Sequence, residues 1–85
     1  ILVDYKKIHT SRYDFMNRLR EYNIGTQVLY IPLYHQPYYK KKYNFKKKDF
    51  SNSEKFYSMC LSIPIFPSMK NQDAINISKI INYLT

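Results

Sequence analysis

Asn23-Ile24-Gly25-Thr26-Gln27-Val28-Leu29-Tyr30-Ile31-Pro32-Leu33-Tyr34-His35-Gln36-Pro37-Tyr38-Tyr39 is the stretch on which the reading of this chain turns. Gly25, the only glycine, follows an amphipathic segment, where a glycine closes a helix in the left-handed conformation. Thr26 to Ile31 is free of lysine and holds β-branched residues, which fit a pleated, half-buried surface. Pro32 and Pro37 cannot donate to a sheet ladder, so this strand ends near them or lies at an edge. His35 to Asp49 is expected as mostly loop, with one turn of helix around Tyr38 to Lys42.

Upstream, Ile1 to Tyr5 reads as a strand and Lys6 to His9 as a connector. Ser11 with Asp14 three residues on is a capping-box-like start. Phe15, Met16, Leu19 and Tyr22 then give one apolar face of a helix that Gly25 terminates. Downstream, Ser51 with Glu54 is a second capping box, opening a short helix through Phe56, Tyr57, Cys60 and Leu61. Pro64 and Pro67 bracket a short extended piece, Ile65 and Phe66. Asn71 to Leu84 carries Ala74, Ile77, Ile80, Ile81 and Leu84 at helical spacing. The order strand, helix, strand, loop, helix, strand, helix predicts an α+β layer, a short sheet with helices packed on one face.

The 85 residues make one small domain, 1–85, which buries only roughly 60–65% of its unfolded surface. Ile1 opens the chain inside the first expected strand, which reads as a fragment of something longer. A single cysteine, Cys60, excludes an intramolecular disulfide framework and a cysteine-based zinc site. Core packing is the expected role of Cys60, and cytoplasm the expected compartment. No apolar run approaches the roughly 20 residues of a membrane span, and no membrane partner is expected.

The net charge is +8, and six of the fourteen basic residues are Lys40, Lys41, Lys42, Lys46, Lys47 and Lys48. Such a run is ordinarily a solvated surface loop, but its field attracts polyanions. Tyr30, Tyr34, Tyr38, Tyr39 and Tyr43 lie beside it, where bases or sugars can stack and ammonium groups can meet phosphates. A basic, tyrosine-rich nucleic-acid-binding module is therefore the alternative reading, and an assembly domain that self-associates is a third.

Catalytic signals are missing. The acids are Asp4, Asp14, Glu21, Asp49, Glu54 and Asp73; no two are spaced for general acid–base work. His9 and His35 lack companions for a metal site. One glycine cannot make a phosphate loop.

The segment from Gly25 to Tyr39 resembles one near the C-terminus of the DegT/StrS-type sugar-nucleotide aminotransferases. That family shows Gly-Ile-Gly-Thr, then His-Tyr, a Pro two residues later, a second His, and a Pro followed by aromatics. Arg18-Leu19-Arg20-Glu21-Tyr22-Asn23 is similar to the family's preceding helix. Ser53-Glu54-Lys55, leading to Leu61-Ser62-Ile63-Pro64-Ile65-Phe66-Pro67, is similar to its Leu-Ser-Leu-Pro and aromatic-Pro segment. A final amphipathic helix follows in both. Two positions depart: Leu29 stands where the family has its first loop histidine, and Tyr34 where it has its second. His35 is one place further on and equates with neither. The form Gln27-Val28-Leu29-Tyr30-Ile31-Pro32 resembles the branch acting on UDP-linked 4-keto sugars in the pseudaminic acid pathway.

The resemblance implies the small C-terminal domain of a pyridoxal-phosphate enzyme of aspartate-aminotransferase-like fold (fold type I), usually a homodimer. In such enzymes glutamate typically gives the amino group and a keto sugar nucleotide receives it, while the cofactor carries the carbanion chemistry. The lysine and cofactor pocket belong to the family's large domain, so no catalytic, cofactor-binding or metal-binding residue is expected here, and the piece alone is expected to be inactive. Tyr30 and Tyr34 are the residues expected to contact substrate, with His35 a third.

Overall fold

A computed structural model describes residues 1–28 and 30–85. Helix α1 spans Arg12–Glu21, α2 Pro37–Tyr43, α3 Ser51–Met59 and α4 Asn71–Leu84. Short 3-10 turns occupy Leu33–His35 and Lys47–Phe50. The Ser11 hydroxyl accepts the Asp14 N–H at 3.0 Å, so the first cap forms as expected.

The expected sheet is reduced to two isolated antiparallel bridges among the described residues, Leu2 with Cys60 and Gln27 with Ser62. The three extended segments do lie side by side, with 60–62 in the middle. Leu61 N–H donates to the Ile1 carbonyl at 2.9 Å and Ser62 N–H to the Gln27 carbonyl at 2.8 Å. Local chemistry stops the ladders from growing. Asp4 turns the chain, its Oδ1 accepting the Lys7 N–H at 3.1 Å, and Pro64 and Pro32 supply no donors. The strand read over 26–31 includes Leu29, which lies outside the described residues.

Burial of α1 and α4 against this central segment makes the core. Phe15, Leu19 and Leu61 are fully buried, joined by Val3, Tyr5, Ile24 and Leu84. Ile77, Ile80 and Ile81 pack from α4, whereas Ala74 faces solvent and Tyr22 is largely exposed. Each fully buried large side chain stabilises by about 1.5–3 kcal/mol relative to exposure. Tyr5 meets Phe15 edge-on, ring centroids 6.0 Å apart.

Two local readings are corrected. Gly25 is not the left-handed terminator of α1. No glycine has a positive φ, and Asn23, at φ 63°, makes the reversal instead; asparagine tolerates that region because its short side chain can bond locally. Ser51 does not cap α3 either. It is the first helical residue, Phe50 precedes it without a side-chain cap, and the Glu54 carboxylate is engaged elsewhere. The turn expected around Tyr38 to Lys42 is α2, ended by Asn44 in the left-handed region at φ 52°, ψ 40°.

The molecule is a slab of 47 × 32 × 19 Å with a radius of gyration of 15.7 Å. A compact chain of this length has a radius near 12 Å. Its exposed area of 6947 Å² also exceeds the roughly 5,400 Å² expected of a self-contained protein of its mass.

Candidate functional site

Pro32 leads into the turn Leu33–His35, where His35 N–H donates to the Pro32 carbonyl at 2.9 Å and Gln36 N–H to that of Leu33 at 3.0 Å. At about three residues per turn, successive side chains point roughly 120° apart. Leu33 is 66% exposed and Tyr34 only 8%. The Tyr34 ring stacks on Phe50, centroids 4.3 Å apart and planes 11° from parallel, and meets His35 edge-on at 4.8 Å. His35 in turn stands edge-on to Tyr57 at 5.5 Å. These rings tie the proline-aromatic loop to α3.

A polar clasp reinforces them. His35 Nε2 pairs with Glu54 Oε1, one turn into α3. Arg12, the first residue of α1, lies over the other part of this cluster, its guanidinium carbon 5.1 Å from the Tyr57 centroid. Arg12 Nη1 donates to the Tyr57 carbonyl and, at 3.4 Å, to that of Cys60. A cation among the terminal carbonyls of α3 is favoured by their dipoles as well as by the bonds.

The hydrogen bond from His35 holds the Glu54 carboxyl below its ordinary range; partial desolvation opposes this, and Tyr34 and Lys47 assist it. Burial raises the Tyr34 phenol, with the Glu54 carboxylate beside it adding to the effect. The Tyr34 hydroxyl has no hydrogen-bond partner of ordinary geometry among the described residues. Burial likewise raises the Tyr5 phenol.

The structure therefore brings together two of the three expected site residues, Tyr34 and His35, and sets the third apart. Tyr30 is 89% exposed and lines a groove of about 420 Å³ with Pro32, Asn52, Ser53, Phe56, Tyr57 and Cys60. A different groove, of about 780 Å³, runs past His35 and Glu54 and presents Arg12, Lys47 and Lys55. The first suits a ring or an apolar edge and the second an anionic group; they share Tyr57. Leu29, the family's first histidine position, lies outside the described residues.

Sequence reading missed Phe50, Glu54, Tyr57 and Arg12 as parts of this cluster. Glu54 had a local explanation as a cap, which hid it. Arg12 contacts residues 45 and 48 positions away, and no local pattern announces such a contact.

Cys60 is buried as expected, but not on a helix face: α3 ends at Met59 and Cys60 is the extended residue after it, bridged to Leu2. No group of three metal-ligating side chains occurs among the described residues. A pyridoxal phosphate requires a sheltered lysine beside a phosphate cradle. Every lysine here is exposed, and Gly25 lies in an exposed segment, so these residues do not form its seat.

Comparison with known proteins agrees with the loop's pattern. The model of the DegT/DnrJ/EryC1/StrS aminotransferase family matches residues 1–82. The chain is 43% identical over 72 residues to the spore coat polysaccharide biosynthesis protein SpsC of Bacillus subtilis (strain 168), a match covering 84% of this chain and 18% of that protein. It is 38% identical over 77 residues to the uncharacterized protein MJ1066 of Methanocaldococcus jannaschii, covering 91% of this chain and 20% of that protein. The chain thus spans about a fifth of the length of these curated relatives. With the match running from Ile1 through α1 and the aromatic loop and into the last helix, α4, this chain belongs to the DegT/DnrJ/EryC1/StrS aminotransferase family.

Proposed function

We propose that this chain is the small C-terminal domain of a pyridoxal-phosphate-dependent, fold-type-I aminotransferase. That enzyme transfers an amino group from glutamate to a keto sugar nucleotide, a UDP-linked 4-keto sugar in the closest reading of the loop, and works as a cytoplasmic homodimer. The family match over residues 1–82 carries the proposal. The slab shape and excess surface support it, because a domain built to pack on a larger body exposes apolar groups such as Ile65 and Phe66 when taken alone. Among the described residues no helix is long and apolar enough to cross a membrane.

Within that enzyme the loop would shape the sugar-nucleotide site. Tyr30 offers an open ring beside an apolar groove, and Tyr34 and His35 hold the loop in position from within. The piece itself contributes site and interface surface and does not turn over substrate.

The test is an absorbance spectrum of the full-length protein. A near-visible cofactor band that shifts when glutamate is added supports the reading, and a protein that binds no pyridoxal phosphate ends it. In an active preparation, Tyr30→Ala should raise KM for the sugar nucleotide about tenfold and leave the glutamate-driven shift unchanged. An unchanged KM removes Tyr30 from the site.

A further inference from the structure

Residues 40–49 hold six lysines against one carboxylate, Asp49, and so carry five of the chain's eight net positive charges. Asp49 is already occupied, its Oδ2 accepting the Lys46 N–H at 3.3 Å. The substrate loop does not account for this field, nor does the core, since α2 buries none of its residues.

On α2 the tyrosines share one side. Tyr39 and Tyr43 lie parallel, planes 8° apart with centroids at 6.5 Å; Tyr43 continues onto Phe45 at 5.3 Å, and Tyr38 meets Tyr39 edge-on at 5.1 Å. Tyr38 is 64% exposed and Tyr43 53%. The Lys42 ammonium sits 5.6 Å from the Tyr38 centroid and 5.3 Å from that of Tyr43, and at helical spacing Lys40 and Lys41 flank the aromatic side.

We infer that α2 and the lysine loop after it form a docking surface for an anionic phospholipid bilayer. Charge complementarity selects an anionic partner, and the state of the rings selects among anionic partners. Base stacking needs free ring faces, whereas Tyr43 already lies parallel to Tyr39 and Phe45, and the Lys42 ammonium sits by the rings of Tyr38 and Tyr43. Amphipathic tyrosine edges suit the headgroup level of a bilayer, and a cluster of four to eight basic residues beside them is the sequence form of anionic-lipid binding. The contact is peripheral and reversible, and independent of the amino-transfer reading.

The experiment is co-sedimentation of the full-length protein with vesicles of pure phosphatidylcholine and with vesicles of phosphatidylcholine mixed with phosphatidylserine, whose anionic headgroups reproduce the negative surface of a charged leaflet. Binding is expected only to the latter, falling steeply from low to physiological salt. Replacing Lys40, Lys41 and Lys42 by Gln should weaken it by about 100-fold, at about fivefold per lysine. The same loss of charge at Lys6, Lys7 and Lys79 should weaken it far less. Tyr38→Ser with Tyr43→Ser, charge unchanged, should also weaken it, with far-ultraviolet circular dichroism unaltered because α2 lies outside the core. Equal effects from the two lysine sets, binding to neutral vesicles, or tighter binding to poly(U) than to phosphatidylserine would each overturn the inference.

Discussion

The two halves of this slab are held by different physics. Around Phe15, Leu19, Leu61 and Leu84, side chains from four distant parts of the chain exclude water. From Leu33 to Phe50, stability comes from rings stacked near the surface, local turns and one His35–Glu54 pair. Non-directional burial fixes the first half tightly, while the second is held by a few directional contacts that each contribute little. The difference teaches where function can be placed. A substrate loop must adjust to its ligand, and such elements come from the less stable part of a structure.

Mutations can test that contrast. Phe15→Ala should cost about 3–5 kcal/mol, comparable with the whole stability of a domain of this size. Urea unfolding should therefore find it largely unfolded, and a loss below about 1 kcal/mol would mean the core is not the dominant half. Arg12→Met should cost about 2 kcal/mol, since it removes charged hydrogen bonds to two carbonyls. Because Arg12 joins α1 to the end of α3, hydrogen exchange in both halves should rise together; a rise confined to one half would break the link.

Glu54→Gln should have a smaller effect, one that depends on pH. The Glu54 carboxyl is lowered in the fold by His35, so its contribution is fully present above the ordinary value of 4.5 and fades as pH falls through the lowered one. Wild type and variant should thus differ at pH 6 and converge in strong acid, as thermal melts can show. Tyr34 and Tyr5 have the opposite sign: their raised phenols stabilise below pH 10 and cease to do so as pH rises past their shifted values. Gly25→Ala is the smallest change. An added Cβ meets nothing within 4 Å and φ is not positive, so the isolated chain should gain about 0.4–1 kcal/mol. A loss would show that the glycine is required after all.

What could be read in the sequence follows the range of the interactions. The first and last helices were legible, since Ser11 caps α1 and the spacing of Phe15 and Leu19 or of Ile77, Ile81 and Leu84 marks buried faces; Pro37 was read as a strand end although it opens α2, and α3 starts without the Ser51 cap and ends at Met59. The aromatic loop identified the family. Pairing across 35 or more residues was not legible, because Gln27 with Ser62 is settled by what stacks above and below them. Glu54 was misassigned because a cap and a distant ion pair use the same side chain. The burial of Tyr34 was not legible for a similar reason, since the residue stacked on it, Phe50, lies sixteen positions away.

The central segment 60–62 has a consequence for synthesis. Leu2 and Gln27 both bridge to it, and Leu61 completes the floor beneath Phe15 and Leu19. A ribosome delivering residues in order makes α1 long before that floor exists, and Leu84 arrives later still. The first half must therefore wait with its greasy side bare, the state in which nascent chains stick to one another or are held by chaperones. A product truncated before Leu61 should accumulate as insoluble material rather than as a smaller folded unit.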